Sequence, residues 1–304
     1  MKNLKSSRFS LRKLLTGAAL VLGAMSSASF AGEFGNGVNI QPSYYNNGWV
    51  NIGYPLMKQY QSKIRNVRIE IEPGKESQAK TWIAQAKSYG FNVIGTYHKS
   101  SVLGSDSTWE LTQAANWWKN NYWNITSNGF IYLNIMNEWG SHNISASNYA
   151  SAYNSAISTI RSFYKARIII DIPGWGQETA TAAAAIKGYN STKIYDTYIV
   201  PSIHVYPPAW NQAKNAPLVK ADVDDLGSAG RGVIIGEFGS GGGSGGTDWA
   251  GVTSYAKGKG YDVLGWAWNG DGGWMNMVEP SWASSPGATN FWPGSYFWVI
   301  YNQL

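Results

Sequence analysis

Short runs of Ile, Val and Leu recur along the chain, most about 25–35 residues apart. The runs predict strands at 37–40, 66–71, 92–97, 130–136, 167–172, 198–204, 233–237 and 263–268. Their length and β-branched content suit strands buried on both faces. Between them the apolar spacing lengthens to the helical period. Helices are predicted at 77–89, 108–123, 147–163, 178–187 and 249–259. Strand–helix alternation of this kind builds right-handed βαβ units and a parallel sheet. Eight such units favour closure into a single α/β (β/α)₈ TIM barrel over an open, doubly wound sheet.

The first residues follow a different pattern. Lys2, Lys5, Arg8, Arg12 and Lys13 precede an apolar stretch over 14–25, and Ser29-Phe30-Ala31 offers small residues around a cleavage point. This predicts a secretory signal peptide at 1–31 and one catalytic-sized domain at 32–304, exported to the medium or a periplasm. The alternative is an uncleaved membrane anchor. Export also changes the charge argument. The chain has 24 Lys+Arg against 18 Asp+Glu, formally +6. Five of the basic residues lie in 1–31, so 19 basic and 18 acidic residues remain, a balance of +1. No basic run remains to suggest a nucleic-acid partner. After cleavage no membrane partner is expected, and the domain is expected to be a monomer. Cysteine is absent, which excludes disulfides and thiolate zinc sites. The only low-complexity stretch, residues 239–246, resembles a linker but falls after the seventh strand, inside the domain.

Two strands end in carboxylates: Glu138 after Asn137, and Glu237 after Gly236. Groups at the C-terminal ends of strands in such a barrel lie on its active face. A facing pair of carboxyls is what hydrolysis of a glycosidic bond requires. The small neighbours of Glu237 would let a sugar approach. Asn137 could hydrogen-bond a sugar hydroxyl. His98 and His204 end the third and sixth strands, and Arg68 lies within the second. The two histidines match no short metal motif, so they are expected to be neutral hydrogen-bonding groups, with no metal and no organic cofactor. Arg68 is expected to hold Glu237 ionised, or else to form a purely structural ion pair. Tyr206 could donate to Glu237. The 16 Trp and 19 Tyr suit stacking on sugar rings as well as core packing. Trp268 is the first choice for a stacking platform, followed by Trp175 and Trp139.

Several segments resemble glycoside hydrolase family 5, and within it the bacterial β-mannanase branch. They are Asn66-Val67-Arg68-Ile69, Thr96-Tyr97-His98, Asn134-Ile135-Met136-Asn137-Glu138-Trp139, Asp171-Ile172-Pro173-Gly174-Trp175-Gly176-Gln177, Ser202-Ile203-His204-Val205-Tyr206, Ile235-Gly236-Glu237-Phe238-Gly239 and Gly265-Trp266-Ala267-Trp268. They occur in family order. The resemblance implies a (β/α)₈ barrel acting on polysaccharide, with Glu138 as acid/base and Glu237 as nucleophile of a retaining, two-step reaction. Arg68, His98, Asn137, His204, Tyr206 and Trp268 would surround them. It implies an endo-β-1,4-mannanase on mannan or glucomannan, with β-glucan as the alternative substrate. A transglycosylase, or a carbohydrate-binding barrel without activity, are further alternatives. Trp139, where many cellulases of the family have Pro, follows the mannanase branch. The segment Gln41-Pro42-Ser43-Tyr44-Tyr45 departs from it.

Overall fold

The computed structural model describes residues 32–188 and 192–304, so the expected signal peptide lies outside the described residues. Eight parallel strands close into a barrel: β1 (Gly37–Ile40), β2 (Asn66–Ile71), β3 (Asn92–Tyr97), β4 (Tyr132–Asn134), β5 (Ile168–Asp171), β6 (Ile199–Val205), β7 (Ile234–Phe238) and β8 (Asp262–Asn269). Each neighbours the next, and β8 pairs with β1. The strands follow the apolar runs because a parallel barrel buries both strand faces, so no polar alternation is needed. β5, for example, is Ile-Ile-Ile-Asp with every residue buried.

The helices are α1 (Tyr54–Gln59), α2 (Glu76–Ser88), α3 (Thr108–Ile125), α4 (Ala146–Arg161), α5 (Thr179–Lys187), α6 (Lys220–Gly227), α7 (Trp249–Gly258) and α8 (Ser295–Tyr301). The sequence pattern missed α1, α6 and α8. All three are short, and α6 carries three acidic residues among eight. β4 is shorter than expected. Phe130 stays outside the ladder, half-exposed and stacked on Tyr164, while Ile135–Asn137 turn toward the barrel mouth.

Inside the barrel, Ile94, Ile169, Val200, Ile234 and Leu264 form an apolar layer. Phe34 closes it from the N-terminal end, edge-on to Tyr132 at 4.6 Å. Its carbonyl accepts bonds from Asn66 and Asn92, and its N–H is taken by Asp262. Apolar packing fills the lower barrel, so buried polar groups concentrate toward the opposite end.

β8 is irregular. Its pairing with β1 runs from Val38↔Gly265 to Ile40↔Asn269, four residues against two. Strand alternation fails within that stretch. Leu264 lies in the inner layer, yet Trp268 turns outward, fully buried, with its ring against Phe297 of α8 and its Nε1–H donated to the Ile52 carbonyl. The expectation that Trp268 is a sugar platform is therefore corrected: it is core. Trp268→Ala should lower unfolding stability by about 3–5 kcal/mol, the usual cost of an indole-sized cavity. Denaturant unfolding checks this; a loss of polysaccharide affinity with unchanged stability would contradict it.

Candidate active site

Arg68 organises the barrel mouth. It points inward from β2 and is only 1% exposed. Nη1 donates to Asn39 Oδ1 at 2.9 Å, Glu237 Oε1 at 2.9 Å and Glu70 Oε1 at 3.1 Å. Nη2 reaches Asn134 Oδ1 at 3.0 Å, Asn137 Oδ1 at 2.5 Å and Asp171 Oδ2 at 3.3 Å. Burial opposes its charge, but Asp171, Glu237 and Glu70 outweigh that and keep it protonated. The sequence expectation that Arg68 meets Glu237 holds.

Glu237 stands at the end of β7, paired in register with His204 of β6. Its second oxygen, Oε2, accepts the Tyr206 hydroxyl at 2.8 Å. Burial and the adjacent Glu237 push the Tyr206 hydroxyl well above its usual range, so it remains a donor. Gly236 serves neighbouring side chains rather than an incoming sugar. A methyl group there would lie 2.1 Å from Ser202 Oγ and 3.2 Å from His204 Nε2. Gly176, at φ +77°, makes room on the other flank, where a Cβ would fall 2.6 Å from the His204 ring. His204 is therefore clamped between two glycines.

Glu138 takes φ +49°, a sparsely populated conformation for a side-chain-bearing residue. Its N–H is satisfied by Asp171 Oδ2 at 3.0 Å and its carbonyl by Gly104 N–H at 2.8 Å. Those bonds hold a tight turn that aims the carboxyl back over the barrel. Glu138 Oε1 then lies 2.9 Å from His204 Nδ1, which is also 3.5 Å from Glu237 Oε1. One ligand atom from each of Glu138, His204 and Glu237 falls within 4.8 Å of the others. That spacing would also suit a cation, but Arg68 and Tyr206 already put donors on both oxygens of Glu237.

Four ionisable groups here are pushed in different directions. Burial, reinforced by Glu237, raises Glu138 above the usual carboxyl range despite its bond from His204. Burial would lower His204, but Glu237 and Asp171 outweigh it and raise the imidazole well above its usual value. Burial would raise Asp171; His204 and Arg68 instead hold it down at about 2. His98, buried and near Arg68, is lowered to about 3. The expectation of two neutral histidines thus holds for His98 and fails for His204. Nor do the two share partners. His98 Nε2 lies 3.4 Å from Glu70 Oε2, and its Nδ1 lies 2.5 Å from Tyr44 Oη.

The aromatic expectations divide. Trp139 is fully buried against Tyr149 and Tyr153 of α4, its Nε1–H bound to the Ser107 carbonyl. Like Trp268, it presents no face to a sugar. Trp175 is 39% exposed, beside His142 across the loops after β4 and β5. Trp266, a strand-end tryptophan ranked behind Trp268 in the same segment, lies two residues beyond inward-facing Leu264 and is held by Asp271 Oδ1 at 3.0 Å. Trp274 is exposed, edge-on to Tyr296. Also missed were Asp171, Asn39 and Glu70. The sequence signal for them is a polar residue among the apolar residues of a buried strand, and β2 holds three such positions in Asn66, Arg68 and Glu70.

The glycine-rich stretch is docked rather than free. Ser240 N–H binds Tyr296 Oη, and Gly241 faces the Met275 sulfur. A Cβ at Gly245 would lie 2.0 Å from the Pro207 carbonyl oxygen. The loop lies on the same face as Glu237, joining the segments after β6 and β8.

Comparison with known proteins adds a family. The cellulase model (glycosyl hydrolase family 5) matches residues 46–272. The mannan endo-1,4-beta-mannosidase of Streptomyces lividans is 26% identical over 225 residues, 71% of this chain and 56% of that protein. The beta-mannanase/endoglucanase A of Caldicellulosiruptor saccharolyticus is 28% identical over 215 residues, 67% of this chain and 15% of that protein. The chain thus spans only part of the length of these curated relatives. In fold it is similar to the catalytic domain of a mannanase from Streptomyces sp. SirexAA-E, with a TM-score of 0.64 at 19% identity, covering 99% of this chain and 96% of the other. The family match runs from the loop after β1 to just beyond β8, and on that span the chain belongs to glycosyl hydrolase family 5.

Proposed function

We propose that this protein is a secreted, retaining endo-β-1,4-glycanase, with β-mannan or glucomannan as its first substrate. The observation that carries the reading is the approach of Glu138 and Glu237, with oxygens within 4.8 Å across a shared histidine. Retaining glycosidases place their two carboxyls about 5–5.5 Å apart, inverting enzymes about 6.5–9.5 Å apart. The short separation leaves no room for a water between the base and the sugar, and favours direct attack.

In this scheme Glu237 Oε attacks the anomeric carbon while Glu138 gives its proton to the departing glycosidic oxygen. The glycosyl–Glu237 ester is then attacked by water, whose proton returns to Glu138, and the carboxylate leaves. The raised Glu138 carboxyl suits a group that must arrive protonated. His204 Nδ1, 2.9 Å from Glu138 Oε1, holds that carboxyl in place over the barrel. Arg68 and Tyr206 orient both oxygens of Glu237. Arg68 also fixes Asn137 by its Oδ1, leaving the amide nitrogen for a sugar hydroxyl. Trp266 and Trp175 supply aromatic faces at the mouth in place of Trp268 and Trp139.

The substrate assignment rests on relatives named as mannanases. The second reading, a β-1,4-glucanase, is favoured by the Caldicellulosiruptor relative, whose name carries both activities. Mannose and glucose differ only in the orientation of the 2-hydroxyl, so the same machinery serves either sugar.

Residues 32–304 should release reducing ends from galactomannan and konjac glucomannan faster than from carboxymethylcellulose or barley β-glucan. Glu237→Ala should lower that rate on the order of a thousandfold or more, with the circular dichroism of the folded protein retained. Activity surviving in this variant would remove Glu237 from the nucleophile role; activity confined to the two glucans would move the substrate and keep the mechanism. Export is tested separately: N-terminal sequencing of the protein recovered outside the cytoplasm should begin at Gly32, and recovery of intact Met1 would contradict cleavage after Ala31.

A further inference from the structure

The retaining scheme uses two carboxylates, yet among the described residues four cluster around Arg68 and His204: Glu70, Glu138, Asp171 and Glu237. Asp171 is accounted for by the Glu138 N–H and Arg68. Glu70 has no part in the scheme. It points inward from β2, two residues above Arg68, and its side chain is 1% exposed. Its Oε1 lies 3.1 Å from Arg68 Nη1. Its Oε2 accepts Gln41 Nε2 at 2.7 Å and lies 3.4 Å from His98 Nε2. Arg68 comes from its own strand, His98 from just beyond β3, and Gln41 and Tyr44 from the segment after β1. Glu237 faces it from β7, and Glu138 from beyond β4.

Arg68 Nη1 is oversubscribed. It carries two hydrogens, but three acceptors lie within hydrogen-bond distance: Asn39 Oδ1, Glu237 Oε1 and Glu70 Oε1. Asn39 is locked by its own donation to the Gly236 carbonyl. The contest for the second hydrogen is therefore between Glu70 and Glu237. An ionised Glu70 is the stronger acceptor; a protonated one is weaker and yields.

We propose that Glu70 is a positioning residue for the retaining reaction inferred above, on which this step rests. Protonated, it leaves Arg68 Nη1 to Glu237; ionised, it draws the guanidinium away and weakens the hold on the nucleophile. Gln41 biases the contest, because its amide donates to Glu70 and favours the ionised form. Burial and the neighbouring Glu237 push Glu70 up to about 8, against the pull of Arg68 and Gln41. The coupled state therefore prevails at neutral pH and is lost as pH rises through that value.

The test compares kcat/KM from pH 5 to 10 for wild type, Glu70→Gln and Gln41→Leu, on the polysaccharide that wild type degrades. Only the change with pH is read. Between pH 6 and pH 9, wild type should lose on the order of tenfold more activity than Glu70→Gln, which cannot ionise. Gln41→Leu should also move the alkaline limb upward, since Glu70 then keeps its proton longer. Superimposable limbs in all three proteins would overturn the proposal and leave Glu70 a structural residue. A second readout needs no substrate: the ¹³C signals of the glutamate side-chain carboxyls, with Glu237 identified by its loss in Glu237→Gln. In wild type the Glu237 signal should shift in a step near pH 8, and that step should vanish in Glu70→Gln. If the step is present but no polysaccharide is cleaved, the functional reading fails and the coupling stands. If cleavage is present but the step is missing, the coupling fails alone. Should Glu70→Gln not fold, Gln41→Leu and the wild-type titration decide the matter.

Discussion

A guanidinium buried at the centre of a barrel has to be surrounded by acceptors, because an unpaired buried charge costs several kcal/mol. Arg68 meets that requirement with groups from β1, β2, β4, β5 and β7, together with Asn137 beyond β4. The same contacts that neutralise the charge also set the spacing of strands around the barrel mouth. Closure of the fold and placement of Glu237 are therefore one arrangement. Loss of Arg68 would strand several buried carboxylates at once, so its structural and functional roles are inseparable.

The second organising feature is His204. Gly176 and Gly236 give it a slot with no freedom to turn, and its Nδ1 is left facing both Glu138 and Glu237. Between two carboxylates, the imidazole holds its proton despite full burial. Glu138 in turn is presented by an unusual backbone turn that only Asp171 and Gly104 make tolerable. Asp171 thus acts on three neighbours: the Glu138 N–H, Arg68 and His204. Burial acts on every carboxyl in the mouth, and the local donors determine which remain protonated. Glu138 and Glu70 end up raised while Asp171 is held down.

The loops close the site through packing rather than regular structure. The glycine-rich stretch after β7 carries only two side chains, both serines, and its glycines let it lie against Pro207, Met275 and Tyr296. The loop after β8 is tied by Asp271 and Asn276 to its own backbone, and Asp271 also holds the Trp266 indole. Trp266 is therefore positioned by a loop that is itself braced against the loop after β7. Exposed Trp175 and Trp274 lie on loops from different parts of the barrel, after β5 and β8.

The chain's local pattern was sufficient for the eight strands, the barrel class and the two strand-end glutamates. A buried parallel strand needs a short β-branched run, and a carboxylate that ends such a run must emerge at the mouth; both facts are written in consecutive residues. Arg68, Asn137, His204 and Tyr206 were legible for the same reason, as polar interruptions near those ends. What only the tertiary structure decided was direction and proton ownership. Trp266 and Trp268 differ by two positions, yet a register irregularity in β8 sends the second into the core against α8. Glu70 and Asp171 carry no local sign of their partners; only the closed barrel brings them onto Arg68. Whether His204 or His98 keeps a proton depends on charges from other strands, brought within a few ångströms only when the first strand meets the last.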